Sequence, residues 1–138
     1  MNERRPFFWP FALMACIFYA SGQSSLATPG LNFILFIDKI GHFLIFGLLA
    51  TFVMRIPKMY SLGWRGAILS ALIVIAYGVV DEWRQYSTPR RAVEIYDLLA
   101  DALGATIAVL AYKIVPKYRG CLEWKPFKGL LKDTPVST

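Results

Sequence analysis

Long apolar blocks constrain this chain more than any other feature. A membrane-spanning helix needs about 20 mostly apolar residues, because the hydrocarbon layer is about 30 Å thick. Four stretches approach that length, namely Phe7–Ser25, Phe33–Met54, Leu62–Val80 and Ile95–Val115. With 57% hydrophobic residues among 138, a soluble domain could not cover so much apolar surface. The sequence therefore predicts an all-α integral membrane protein with about four transmembrane helices.

Short polar links separate the predicted spans. They lie around Ser24–Asn32, Arg55–Lys58 and Ser87–Arg91, and each contains proline, which is typical of turns. Connections this short favour antiparallel neighbours. We predict an up-and-down helical bundle over residues 1–115, followed by a basic tail over residues 116–138.

The distribution of cations predicts the orientation. Of 15 Lys and Arg residues, eleven map to the side that holds the two termini and the second link, and four map to the other side. Cytoplasmic segments carry such an excess, so both termini are expected in the cytoplasm and the protein in the cell membrane as a multi-pass protein. The net charge of +6 then needs no nucleic-acid partner, and no nucleic-acid motif occurs.

The first span has a second interpretation. Arg4 and Arg5 precede it and small residues lie near its end at Ala20–Gly22, which is also typical of a cleaved signal peptide. Cleavage would leave an odd number of spans and spoil the charge asymmetry, so we favour an uncleaved first helix. Cys16 and Cys121 then lie in a span and in the tail, where a disulfide between them is not expected.

Acidic residues gather in the half of the bundle away from the tail. Six of the nine map there: Asp38, Asp81, Glu82, Glu94, Asp97 and Asp101. A charge within a span costs a few kcal/mol and tends to face the bundle interior or a wet cavity. We therefore expect these side chains to face one another rather than lipid.

Helical spacing places the polar residues on common faces. Three pairs are four residues apart: Asp38 with His42, Asp81 with Gln85, and Asp97 with Asp101. Gly104 and Ala108 continue the face of span four and would allow another helix to approach closely. We predict that spans two, three and four meet there, with a carboxylate within hydrogen-bond reach of His42. A purely structural network of caps and a satisfied histidine is the alternative.

The chemistry of this set stays open at the level of sequence. Carboxylates and one imidazole could suit Mg²⁺, Mn²⁺ or Zn²⁺, but no recognised ligand spacing occurs, so no metal ligand is assigned and any cofactor is unknown. A serine nucleophile is conceivable, because Ser24 and Ser25 map to the same membrane face as the acidic residues, but no G-x-S-x-G elbow is present. A phosphate-binding glycine loop is also absent from the sequence.

Several motifs resemble those of the VanZ-like family. The run Asp38-Lys39-Ile40-Gly41-His42-Phe43 resembles its D-K-x-x-H-F segment, and Asp81–Gln85 looks like its D-E-x-x-Q segment. Arg91, Asp97 and Gly104 are similar to its R-x5-D-x6-G ending, and Ser24-Ser25 to a serine pair after the first helix. Order and spacing agree over roughly residues 20–110. Asp101 departs from the pattern, since the family more often has Asn there.

The resemblance implies a small multi-pass membrane protein of the cell envelope, with residues 1–115 as a VanZ-like four-helix domain. The founding member is associated with resistance to teicoplanin, a lipid-tailed glycopeptide antibiotic. The family's recurrent polar residues correspond here to Asp38, Lys39, His42, Asp81, Glu82, Gln85, Arg91 and Asp97.

Two functional hypotheses follow. In the first, the cluster binds a lipid head group, a lipid-linked cell-wall precursor or a lipophilic antibiotic, through Lys39, Asp81, Gln85, Arg91, Asp97 and Asp101. In the second, the protein is an intramembrane lipid-modifying enzyme, with His42 as general acid or base, Asp38 orienting it, and Glu82 as partner acid or metal ligand. A transporter or proton relay would need a homo-oligomer. No decisive nucleophile is present, so binding is favoured and catalysis is left open.

The cation asymmetry generates a topology prediction. In a variant without Cys16 and Cys121, an impermeant thiol reagent added outside cells should label a cysteine placed at Thr88. A cysteine placed at Thr138 should be labelled only after the membrane is permeabilised. The reverse pattern would overturn the orientation.

Overall fold

The structure is a computed structural model that describes residues 5–23, 32–88 and 95–123. These residues form six helices: α1 Arg5–Ser21, α2 Asn32–Met54, α3 Pro57–Ser61, α4 Trp64–Tyr86, α5 Ile95–Ile114 and α6 Pro116–Glu123. No strand occurs within these ranges. The predicted site residue Arg91, Glu94, the serine pair Ser24-Ser25 and residues 124–138 lie outside them.

Helices α1, α2, α4 and α5 correspond to the four predicted spans. Three of them, α2, α4 and α5, are long and apolar enough to cross a membrane, whereas α1 is shorter, at 17 residues. The predicted all-α membrane bundle is confirmed, and the crossing of the membrane by α1 stays a prediction. Helix α4 continues six residues beyond the expected Val80, because the polar residues of its last turns are buried against other helices.

The bundle has an apolar exterior and polar groups inside at one end. Large apolar side chains such as Phe11, Ile68 and Leu72 are more than half exposed. Asp81, Gln85, Asp97 and Asp101, in contrast, are almost fully buried. This arrangement suits a hydrocarbon solvent, in which apolar surface needs no covering and charges turn inward.

The predicted up-and-down topology is confirmed by contacts between helix ends. Three contacts define the directions: Ser21 of α1 with Asp81 of α4, Lys39 of α2 with Asp97 of α5, and Met54 of α2 with Ser70 of α4. Helices α1 and α4 therefore run one way, and α2 and α5 run the other way. We call the end where α1 and α4 finish the cluster end, and the other the tail end.

Helices α2 and α5 cross at two glycines. A Cβ atom added to Gly47 would lie 3.1 Å from the Gly104 carbonyl oxygen, and one added to Gly104 would overlap the Phe43 carbonyl oxygen. Without side chains, the two backbones approach more closely than larger residues would permit. Asp101 lies one turn from Gly104, and His42 lies just over one turn from Gly47. The crossing thus brings His42 and Asp101 to the same place.

At the tail end, α6 packs back onto the bundle. The Tyr118 hydroxyl lies 3.1 Å from the Thr51 hydroxyl of α2, and Tyr118 and Leu122 contact the apolar core. That core contains Leu49, Val53 and Val109. The first residues of the predicted 116–138 tail are therefore helical and packed against the bundle.

The helix crossing generates a stability prediction. Replacing Gly104→Ala should lower the free energy of unfolding by about 1–3 kcal/mol, because the added methyl must separate two packed backbones. Denaturant unfolding in detergent micelles measures the loss. Gly41→Ala on α2 is the matched control, since its Cβ would meet no atom within 4 Å. Equal stability of the two variants would contradict a close contact at Gly104.

Candidate functional site

The predicted site residues converge at the cluster end. Of the nine, eight lie in the described part of the chain: Asp38, Lys39, His42, Asp81, Glu82, Gln85, Asp97 and Asp101. Together with Ser21 we call them the polar cluster. Their hydrogen bonds tie α1 to α4 and α2 to α5, and Asp101 of α5 lies against Gly78 of α4. The structure brings the cluster ends of the three later spans together, with Asp97 and Asp101 buried as expected and Asp38 exposed instead of buried. The roles of these residues stay predictions.

His42 is held by a carboxylate from another helix. Its Nδ1 lies 2.9 Å from Asp101 Oδ1, and Asp101 is fully buried. The imidazole also stacks on Phe46, with ring centroids 6.1 Å apart. Sequence reasoning assigned the orienting role to Asp38, which is exposed, whereas the hydrogen bond to His42 comes from Asp101. The role of Asp38 stays a prediction. Asp101 reaches the imidazole because α2 and α5 cross so closely one turn away.

An ion pair also joins α2 and α5. Lys39 Nζ donates to Asp97 Oδ1 at 2.7 Å, and the Asp97 side chain is 4% exposed while that of Lys39 is 28% exposed. The ammonium group thus partly compensates a buried carboxylate from the more open side. Lys39 and Asp97 were both predicted to contact a ligand, and in the structure they form an ion pair with each other.

Asp81 connects α1 to α4. Its carboxylate accepts from the Ser21 hydroxyl and, at 3.0 Å, from Gln85 Nε2. Sequence reasoning missed Ser21 as a member of the cluster. Ser21 shares a helix face with Ile17, four residues earlier, but only the structure shows that this face is buried.

Glu82 is buried without a hydrogen-bond partner in the described part of the chain. It is 7% exposed, and neither carboxylate oxygen is satisfied there. Asp101 Oδ2 is likewise unsatisfied and faces Gly78 of α4, since a Cβ at Gly78 would lie 3.1 Å from it. Glu82 lies within electrostatic range of Asp97, His42 and Asp101. Unpaired buried acids of this kind are costly and call for an explanation.

A cleft of about 360 Å³ opens beside the cluster, between α1 and α2, with α4 behind it. Its polar lining comprises Ser21, Asp38, His42, Asp81 and Gln85, and its apolar lining comprises Ile17, Ala20, Ile37, Ile45 and Phe46. The volume lies within the range of small-molecule sites. One cleft therefore offers hydrogen-bonding groups beside an apolar wall.

Three residues could hold a metal ion. Asp38, His42 and Asp97 each offer a ligand atom, and these atoms lie within 4.8 Å of one another. They come from two helices, so no local spacing motif encodes them. A sequence search for ligand spacings could not find such a group.

The fold and the cluster define a class of protein: a small helical membrane bundle whose interior is charged at one end. A family model described as VanZ/LLP1 matches residues 3–116, so this chain belongs to that family. The match covers α1, α2, α4 and α5 and with them the whole polar cluster. No curated protein and no solved structure matches the chain.

The tie between α1 and α4 generates a prediction about Ser21. Replacing Ser21→Ala removes a donor from a buried carboxylate and should lower the free energy of unfolding by about 1–2 kcal/mol. Thermal unfolding of purified protein in detergent measures it. The control is Ser61→Ala, whose exposed hydroxyl only caps its own turn at Lys58. An unchanged midpoint for both variants would show that the Ser21–Asp81 contact contributes nothing.

Proposed function

We propose that this protein binds the polar head of an amphiphile in the cleft beside the polar cluster. The candidate occupants are a membrane lipid, a lipid-linked cell-wall precursor and a lipophilic glycopeptide antibiotic. The observation that carries the proposal is the composition of the cleft, which places five polar side chains next to a wall of apolar ones. An amphiphile has the same division between head and chain.

The polar lining is suited to orienting a head group. Asp81 and Gln85 are buried and are tied to Ser21 or to each other, so their positions are fixed before a ligand arrives. Asp38 is exposed and remains adjustable. Fixed groups of this kind reduce the entropy lost on binding. The apolar wall would lie along the hydrocarbon part of the same molecule.

The proposed setting is the cell membrane, with the cluster end facing outward. Among residues whose backbone is described, seven Lys or Arg lie at the tail end: Arg5, Arg55, Lys58, Arg65, Lys113, Lys117 and Arg119. Two, Lys39 and Arg84, lie at the cluster end. The bias supports cytoplasmic termini and a cleft open to the outer leaflet, where cell-wall precursors and antibiotics are met. A contribution to teicoplanin-type resistance would act through that contact.

A second candidate function is lipid modification, favoured by the contact of His42 with Asp101. A general base whose second ring nitrogen is held by a carboxylate is arranged for proton transfer. An enzyme should convert its lipid on incubation, and His42→Asn should slow that conversion by about 10²–10⁴-fold while the lipid still binds. A constant lipid mass over time would exclude conversion and leave binding alone.

Filling the cleft tests the binding proposal. In Gly41→Phe the ring would enter the cleft, because Gly41 lines it and an added Cβ there meets nothing within 4 Å. Native mass spectrometry of protein gently extracted from membranes should show an amphiphile of defined mass on the wild type and a loss of at least about tenfold in the variant, equivalent to 1.4 kcal/mol.

The matched control is Gly120→Phe on α6, where an added Cβ also meets no atom within 4 Å. It should keep the amphiphile, and both variants should unfold near the wild-type temperature. The proposal would be contradicted if Gly41→Phe and Gly120→Phe retained the amphiphile equally, or if the wild type carried no amphiphile.

A further inference from the structure

We propose that the polar cluster binds a divalent cation through Asp38, His42 and Asp97, with Asp101 as the residue that positions His42. The cluster supplies hard carboxylate oxygens and one imidazole nitrogen, a donor set that suits Mn²⁺ or Zn²⁺. The proposal goes beyond lipid binding, because the cation would bind whether or not an amphiphile occupies the cleft.

The spacing of the three donors fits one ion. Metal–oxygen and metal–nitrogen bonds are about 2.0–2.2 Å long, so two donors on opposite sides of an ion lie about 4 Å apart. The candidate atoms of Asp38, His42 and Asp97 already lie within 4.8 Å of one another. Small side-chain rotations would close the remaining difference. Asp38 is exposed and so is free to make such a rotation.

The second contact of His42 is the one that metal-bound histidines usually make. Such a histidine gives its other ring N–H to a carboxylate or carbonyl, which fixes the ring and makes the ligating nitrogen more basic. Here Nδ1 donates to Asp101 Oδ1 at 2.9 Å. Nε2, the other ring nitrogen, is therefore the proposed ligand atom. The alternative occupant is the ammonium group of a ligand. Carboxylates alone would bind an ammonium group, so it would not explain why Asp101 holds the imidazole of His42.

The charge balance supplies an independent reason for a cation. Counting the described members of the cluster alone, five carboxylates, Asp38, Asp81, Glu82, Asp97 and Asp101, stand against the side chains of Lys39 and His42. Glu82 is 7% exposed and has no hydrogen-bond partner among the described residues, and Asp101 Oδ2 is also unsatisfied there. Buried charges in proteins are normally paired or coordinate metals.

Lys39 can coexist with the ion. Its Nζ contacts Asp97 Oδ1 at 2.7 Å, and a carboxylate has a second oxygen with which to bind a cation. Glu82, within electrostatic range of Asp97 and His42, would then face positive charge on that side of the cluster. The ion would thereby convert an acid-rich site into one that tolerates anions.

If a bound cation lets the site tolerate anions, the chemical class of the head group follows. A bare phosphate would be repelled by Asp38 and Asp81, whereas a bound divalent cation binds phosphate oxygens readily. The cleft should therefore take a phosphate-bearing amphiphile, and this consequence rests on the proposed lipid-binding function. The cation site itself does not.

Titration of Mn²⁺ into chelator-treated, purified full-length protein tests the site by electron paramagnetic resonance. We expect one Mn²⁺ per chain with nitrogen hyperfine coupling from an imidazole. Asp97→Asn and Asp38→Asn should each weaken binding at least about tenfold, and His42→Gln should abolish the nitrogen coupling. Asp38→Asn changes an exposed side chain, so this variant keeps the test valid if the buried changes impair folding.

The positioning role of Asp101 has its own readout. Asp101→Leu should weaken Mn²⁺ binding by about 10–100-fold, the usual effect of losing the outer partner of a metal ligand. Asp101→Asn keeps an oxygen that can accept from Nδ1 and should bind Mn²⁺ more tightly than Asp101→Leu does. Asp133→Asn, an identical chemical change in the tail, should bind as the wild type does.

Two results would overturn the cation site: no stoichiometric Mn²⁺ on the wild type, or unchanged binding in both Asp38→Asn and Asp97→Asn. Native mass spectrometry keeps this separate from the binding proposal. Mn²⁺ bound without any amphiphile would refute lipid binding and leave the cation site intact. An amphiphile retained equally after removal of all divalent ions would refute the phosphate bridge.

Discussion

The close crossing of α2 and α5 is the constraint on which the rest of the molecule depends. Gly47 and Gly104 let two backbones meet where other residues would hold them apart. One turn beyond, that separation is short enough for His42 to reach Asp101. About two turns beyond, it still lets Lys39 reach Asp97. Helix α4 then places Gly78 against Asp101 and Glu82 within electrostatic range of Asp97, His42 and Asp101. A local choice of residue size thus sets the geometry of the whole cluster.

In a membrane, an unpaired charge in this cluster costs more free energy than it would at a water-exposed surface. The hydrocarbon core contains no water to solvate a charge, so a carboxylate that loses its partner there cannot be solvated instead. The described contacts satisfy Asp81 and partly satisfy Asp97 and Asp101, yet Glu82 remains unsatisfied among the described residues. Natural bundles rarely retain such groups for stability alone, since apolar residues would pack as well. Among the described residues, the imbalance is what motivates the proposed cation.

Sequence reasoning succeeded where information is local to one helix. Apolar length located the four main helices, and a spacing of four placed Asp38 with His42 and Asp81 with Gln85 on shared faces. It could not say which carboxylate reaches His42, because a partner on another helix depends on where two helices cross. It also overlooked Ser21, whose role exists only once α1 packs on α4. The unsatisfied state of Glu82 is a property of packing and leaves no mark in the sequence.

The position of the cleft has a consequence for how a ligand would arrive. Its rim includes the exposed residues Ala20, Ile37 and Ile45 of α1 and α2, which would face hydrocarbon if α1 crosses the membrane as predicted. An amphiphile would then enter the cleft laterally from its own leaflet. Its head group would approach the carboxylates while its hydrocarbon chain stays in the bilayer. Access would depend on diffusion in two dimensions, and the membrane concentration of the amphiphile, rather than its solubility, would govern occupancy.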